Sequence, residues 1–263
     1  MNEKTAQFSL RGLFQPRDLT EGTPWKTILA FALPIIISYL LQQVYTISDA
    51  AIVGQTLTAG EVAGVNDTTS IIFIFLQFAF GVSAGFCVVT AAEVGAHHEA
   101  GVRRSLAAQI LLSAALTVLL TGLALLLLKP MLAWINVTPE SPEVYRAAHT
   151  YCAIIFAGIG AQLFYNFICS FLRSMGDSVT PLLFLLFSTI LNIGLDLLFI
   201  VSFHWGVAGA AIATVAAQLI STVGCFLYAF IKYPKLRLHR EDWQVTLGDM
   251  RRHLGQGIPL RLQ

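Results

Sequence analysis

Residues 188–200, STILNIGLDLLFI, are an apolar run in which an amide and a carboxylate, Asn192 and Asp196, stand four positions apart. On a helix that spacing puts both side chains on one face, one turn from each other. A charged side chain in such a segment costs several kcal/mol inside a membrane and needs either a partner or a task. The run belongs to a longer stretch, 179–203, whose only formal charge is Asp196. As helix, about 20 residues cross the roughly 30 Å hydrocarbon core, so 179–203 reads as a membrane span.

The rest of the chain supports that reading. Of 263 residues, 56% are hydrophobic and 12% charged, about half the charged fraction of a typical soluble domain. A net charge of +1 gives no long-range field and speaks against a nucleic-acid partner. Cys87, Cys152, Cys169 and Cys225 lie inside apolar runs without CxxC spacing, which predicts small buried hydrophobes and neither metal ligands nor disulfides. The first 24 residues show no apolar core followed by a small-residue cleavage site, so a cleaved signal peptide is not expected.

Six runs are long enough to cross a bilayer: about 25–53, 61–94, 103–128, 144–171, 179–203 and 206–231. The chain therefore reads as an all-α polytopic membrane protein. Pro34, in FALPIII, supplies a cause for a bend in span one because it lacks an amide donor and crowds the preceding turn. Gly81 and Gly85 in span two would either loosen that helix or let another helix approach closely. Thirteen Lys and Arg fall on one side of this topology, in the N-terminal tail, at Arg103, Arg104 and Arg173, and in the tail after span six. Only Lys129 and Arg146 fall on the other. The positive-inside rule then places the N-terminus and residues 232–256 in the cytoplasm. The latter, KYPKLRLHREDWQVTLGDMRRHLGQ, read as a polar, partly amphipathic connector on the inner membrane surface.

The polar residues inside the spans carry the chemistry. Asp49 in span one, Asp196 in span five and Thr214 in span six all fall roughly 7–12 Å below the outer boundary at 1.5 Å per residue, with Asn192 one turn deeper. Two carboxylates, an amide and a hydroxyl at one level suit a hard cation or a proton relay. The competing reading is interhelical hydrogen bonding that holds the bundle together. Glu61, Asp67 and Glu93 lie near span ends and are expected to reach an interface. Gln42, Gln43, Tyr45, Gln77, Tyr151, Gln162, Asn166 and Gln218 serve either as cavity lining or as helix-pairing groups. No GxSxG, P-loop or His/Cys metal pattern points to an enzyme.

Three stretches, ALPIIISYLLQQVYTISDAAIVGQ, FLRSMGDSVTPLLFLLFSTILNIGLDLLFI and GVAGAAIATVAAQLIS, resemble the multidrug and toxic compound extrusion (MATE) family of the MOP flippase superfamily. The resemblance runs over about residues 25–232, and its most specific part is the LRxxGDxxTP loop followed by LNIGLD. It implies one six-helix lobe of a twelve-helix pseudo-symmetric transporter in the plasma (inner) membrane. It also implies export of small organic cations or drugs in exchange for sodium or protons, with no other cofactor. Carried over residue by residue, it implies an ion site of Asp49, Asn192, Asp196 and Thr214. Tyr151 and Gln42 are additional ligand or cavity candidates, and Pro34 is the helix-one proline whose kink accompanies the change of state.

The resulting division is a cytoplasmic tail over 1–24, a six-helix N-lobe over 25–231, a cytoplasmic connector over 232–256 and the opening of a second lobe over 257–263. RRHLGQGIPLRLQ at the end echoes the opening of span one. A second lobe from the same full-length chain, or a second half-transporter, is then the expected partner, alongside membrane lipid. Two alternatives stand beside the drug antiporter. One is a lipid-linked oligosaccharide flippase of the same superfamily, which the sparse intramembrane Lys and Arg disfavour. The other is a non-transporting six-helix membrane scaffold or inactive remnant, in which the acids only pair helices.

Overall fold

The structure is a computed structural model that describes residues 24–257. The N-terminal tail, including Lys4, Arg11 and Arg17, and all but the first residue of the 257–263 segment lie outside the described residues. The described residues form helices in the order α1 (Pro24–Thr56), α2 (Ala59–Gly95), α3 (Glu99–Trp134), α4 (Pro142–Ala157), α5 (Ile159–Ser174), α6 (Val179–Asp196), a π-helical turn Leu197–Ser202, α7 (Gly206–Lys232) and α8 (Leu247–Gly257).

Five of these elements are long and apolar enough to cross a membrane, and α4 with α5 makes a sixth span bent by 46°. Spans one to three and six are single helices, whereas spans four and five are each broken. The break in span four falls at Gly158, where an added Cβ would lie 2.4 Å from the Val215 side chain of α7. Close approach of α7 therefore requires glycine at the bend. Pro34 lies inside α1, which continues through it as one element, and its carbonyl accepts a hydrogen bond from Ser38 Oγ at 2.8 Å.

Local chemistry sets the ends. Thr58 and Glu61 close a capping box at the start of α2, satisfying two otherwise orphaned amide donors. Pro142 at the first position of α4 gives up no hydrogen bond, because that amide has no helical acceptor. The loop before α6 turns on Gly176, whose φ of +83° an L side chain rarely adopts. Asp177 then caps α6 by accepting from Thr180 N at 3.0 Å and from Thr180 Oγ1 at 2.7 Å.

The core runs between helices. Ile71, Leu128, Leu132, Cys152 and Phe156 join α2, α3 and α4, and Leu106, Phe167, Phe171 and Leu236 join α3 and α5 to the connector. In α7 the buried positions include Gly209, Ala210, Ala211, Ala213 and Ala217, small residues that let backbones approach where apolar burial gives no driving force within lipid. The outside is apolar too: Ile47, Val118, Leu126, Ile190 and Ile231 are all well exposed. In water such a surface is an association site, whereas facing acyl chains it is an ordinary exterior. The four cysteines are free and buried.

The connector is packed onto the lobe as well as being polar. After two 3₁₀ turns, Pro234–Leu236 and Arg240–Trp243, helix α8 docks against α2 and α3. Arg103 Nε reaches Asp242 at 3.1 Å and Arg252 Nη1 reaches Glu93 at 3.0 Å. Gly85 permits this docking, since a Cβ there would stand 2.4 Å from Gly257 Cα. The close approach expected at Gly85 thus exists, and the helix that makes it is α8. Gly85→Ala is expected to cost the docked state about 1–2 kcal/mol by overpacking. That opens α8 roughly tenfold more often, and limited trypsin digestion should cut after Arg251 and Arg252 about tenfold faster.

Candidate functional site

Asp49 lies seven residues before the end of α1, Asp196 is the last residue of α6, and Thr214 is eight residues into α7. At 1.5 Å per residue, counting from these helix ends puts the three positions at about one level. Three helices converge there. Val53 of α1, Ile200 of the π turn and Ala210 of α7 form one buried cluster against which Tyr151 of α4 packs.

Within this convergence the polar groups are buried or half-buried, and several of their atoms are left without hydrogen-bond partners. Asn192 and Asp196 are 0% exposed and Tyr45 is 8% exposed. Eleven buried side-chain N or O atoms lack a hydrogen-bond partner among the described residues. Seven of them are Tyr45 OH, Asp49 Oδ1, both Asn192 atoms, both Asp196 oxygens and Thr214 Oγ1. Concentrating them in one place matters, because a buried polar atom without a partner costs about 1–3 kcal/mol and native proteins keep such atoms few.

The two carboxyl groups lie within interaction range of each other, and the Tyr45 and Tyr151 hydroxyls lie within range of both. The Thr214 hydroxyl stands beside that of Tyr45 without closing a hydrogen bond. Two carboxylates and neutral oxygen donors, with no Lys or Arg paired to them among the described ion pairs, form a set of hard ligands short of positive charge.

The structure therefore brings together Asp49, Asp196 and Thr214 with Tyr45 and Tyr151, and buries Asn192 one turn below Asp196. Gln42 is exposed on α1 and stays outside this buried group. Tyr45 is the residue that sequence reasoning ranked too low, as one generic polar group among eight. The missed signal is its spacing: Tyr45 precedes Asp49 by one turn on the same face, the arrangement of Asn192 and Asp196. The π-helical turn after Asp196 is likewise absent from the sequence expectation. Such turns shift helix register by one residue and recur at functional positions.

Above this level, toward the end of the lobe that carries the α2 and α4 N-termini, a cleft of about 440 Å³ is lined by Glu61, Glu143, Arg146, Thr150 and Trp205. Thr58 Oγ1 lies 2.6 Å from Glu143 Oε1 and 3.2 Å from Glu61 Oε2, which ties the two carboxylates together at the start of α2. Ala147 and Val207 line the cleft and also pack with Tyr151. The floor of the cleft is thereby one side chain from the carboxyl pair.

The chain is 32% identical over 227 residues to the probable multidrug resistance protein YpnP of Bacillus subtilis, an alignment that covers 84% of this chain and 48% of that one. It is 26% identical over 229 residues to the probable multidrug resistance protein NorM of Thermotoga maritima, covering 85% and 46%. It thus spans about half the length of the curated relatives it matches. Among solved structures it superposes with a TM-score of 0.83 on an outward-facing multidrug resistance MATE family transporter of the MOP superfamily, at 24% identity, covering 92% of this chain and 53% of that one. A MOP superfamily transporter from Pyrococcus furiosus gives 0.82 at 24% identity, covering 93% and 53%. These structures share the fold, in which this chain corresponds to one lobe. The MatE family model matches residues 34–198, from the helix-one proline through Asp196, and the chain belongs to that family.

Proposed function

We propose that this chain forms the ion-coupling lobe of an antiporter that exports small organic cations or drugs across the plasma membrane in exchange for sodium or protons. The observation that carries the reading is the group of seven unpartnered buried atoms around Asp49 and Asp196. Residues that only pair helices would satisfy one another, whereas two carboxyl groups facing each other without a cationic partner suit a shared cation or proton. The multidrug resistance names of the relatives support drugs as the cargo. The orientation with the N-terminus and residues 232–256 in the cytoplasm puts the site in the outer half of the membrane.

Coupling follows from differential binding. Sodium or a proton between Asp49 and Asp196 neutralises a like-charge contact that joins α1 to α6, so the packing of α1 against α6 and α7 depends on occupancy. If drug binds the two packings unequally, each ligand shifts the other's affinity by the same factor. The opposing wall of the drug cavity comes from a second six-helix lobe, in the same polypeptide or another chain.

The test is transport by the protein as encoded, reconstituted in liposomes with ethidium as the probe. Export driven by an imposed sodium or proton gradient, and uncoupled by dissipating that gradient, is the expected result. Gradient-independent behaviour, or none above empty vesicles, would sink the reading.

A further inference from the structure

The docking of α8 buries one imidazole. His253 is 2% exposed and sits between α2 and α3 with its ring edge-on to Phe86, centroids 6.3 Å apart. Its Nδ1 is 2.8 Å from the Asp249 carbonyl, and its Nε2 is 2.8 Å from Ser105 Oγ. A carbonyl only accepts, so Nδ1 carries the proton and Nε2 accepts from the Ser105 hydroxyl. The chain of donors continues inward without a mismatch. Thr90 Oγ1 donates to Ser105 Oγ at 2.8 Å, and Gln109 Nε2 donates to Thr90 Oγ1 at 2.6 Å and to Ser105 Oγ at 3.0 Å. The Gln109 carbonyl accepts from the Cys87 thiol at 3.2 Å. Thr90, Ser105 and Gln109 are at most 3% exposed, so water does not serve as an alternative partner.

This network fits only a neutral His253. A proton on Nε2 would turn that atom into a donor facing the Ser105 hydroxyl. Ser105 would have to turn its own proton toward Thr90, leaving the Thr90 hydroxyl without an acceptor in the network. The new charge would also be buried without a free counter-ion. Asp249, on α8 itself, is bound to Thr246 N and Oγ1 at its helix start. Glu93, on α2, is held by Arg252 at 3.0 Å and His98 at 2.9 Å. Asp242, on the 3₁₀ turn, is paired with Arg103 of α3, and Arg104 of α3 adds positive charge near Asp249. On balance, burial holds the ring's titration below the ordinary histidine range, against the pull of Asp249 and Glu93.

We infer that α8 is a proton-released latch: it stays docked in the groove between α2 and α3 while His253 is neutral, and acidification on its side of the membrane frees it. The docked state binds the proton less well than the released state. Docking is therefore complete above the ordinary histidine pKa of about 6.5 and weakens by up to tenfold per pH unit below it. Helix α8 lies in the connector that leaves span six, so its docking fixes the path of that connector against the lobe. A latch of this kind works whether or not the lobe transports anything.

Hydrogen exchange of the 247–257 amides, in the full chain in lipid nanodiscs and corrected for intrinsic rates, tests it. Protection is expected to fall about tenfold between pH 7.5 and 5.5, and His253→Gln should abolish that fall. Ser105→Ala removes the hydroxyl that favours neutral Nε2 and so raises the docked state's proton affinity, which should shrink the fall below tenfold. An identical pH response in wild type and His253→Gln would assign the effect to Glu93 or Asp249 and overturn the inference. So would protection that is flat across this range, or a fall undiminished by Ser105→Ala.

Discussion

Asp196→Asn is expected to reduce gradient-driven efflux by about 100-fold while leaving the folded lobe intact. Coupling free energies of about 1–3 kcal/mol correspond to 5–150-fold effects, and the substitution removes the ionisable group through which coupling passes. The shape of the side chain is kept and its charge is lost. In a lobe whose acids merely paired helices, an amide at a 0% exposed position would pair equally well and function would persist. Asp49→Asn is expected to act alike. The double variant should be little worse than either single one, because both residues serve one site. Efflux from proteoliposomes, read beside denaturation of the same samples, separates lost coupling from lost fold. Wild-type efflux in either variant would reduce the pair to packing.

Asp177→Ala is expected to destabilise the lobe by about 3 kcal/mol without any direct effect on the ion site. Asp177 is 3% exposed, and it accepts from Lys232 Nζ at 2.9 Å and Tyr233 OH at 2.6 Å besides capping α6 through Thr180. One carboxylate thus ties the start of α6 to the end of α7, and removing it strands the Lys232 ammonium, whose side chain is 19% exposed. Lys232→Met in the same background should restore about half the loss by removing the stranded charge. Burial pushes the Asp177 carboxyl up, but Lys232, Tyr233 and Thr180 outweigh it and hold the group below the usual carboxylate range. Its stabilisation is therefore complete above about pH 4 and is lost as pH falls further. Denaturant titration at pH 7 and pH 3 should show a wild-type acid loss that Asp177→Ala lacks. An acid limb that persists unchanged in the variant would place the sensitivity in another carboxyl.

Six apolar runs, an aspartate in span one and an Asn–Asp pair in span five are properties of the chain in one dimension. The requirement for backbone hydrogen bonds in hydrocarbon turns such runs into helices whatever their neighbours do. Depth also follows from counting, since rise per residue is constant, and for that reason Asp49, Asp196 and Thr214 could be placed at one level before any packing was known. The bend at Gly158 and the π turn after Asp196 were not legible in the same way. At Gly158 the Val215 side chain of α7 presses on the backbone, and hydrophobicity carries no record of that contact.

The connector shows the same limit. Its charges announce a polar segment, but whether His253 faces water or a groove depends on Gly85, far upstream in the chain, leaving room for α8. By itself the sequence determined the class of protein and the apolar runs that become its helices, because burial in lipid acts on each segment separately. The tertiary structure alone decided that Tyr45 and Tyr151 join the two carboxyls and that α8 closes over a buried histidine. Those outcomes depend on which helix faces meet, a matter of side-chain volume and pairing between segments distant in sequence.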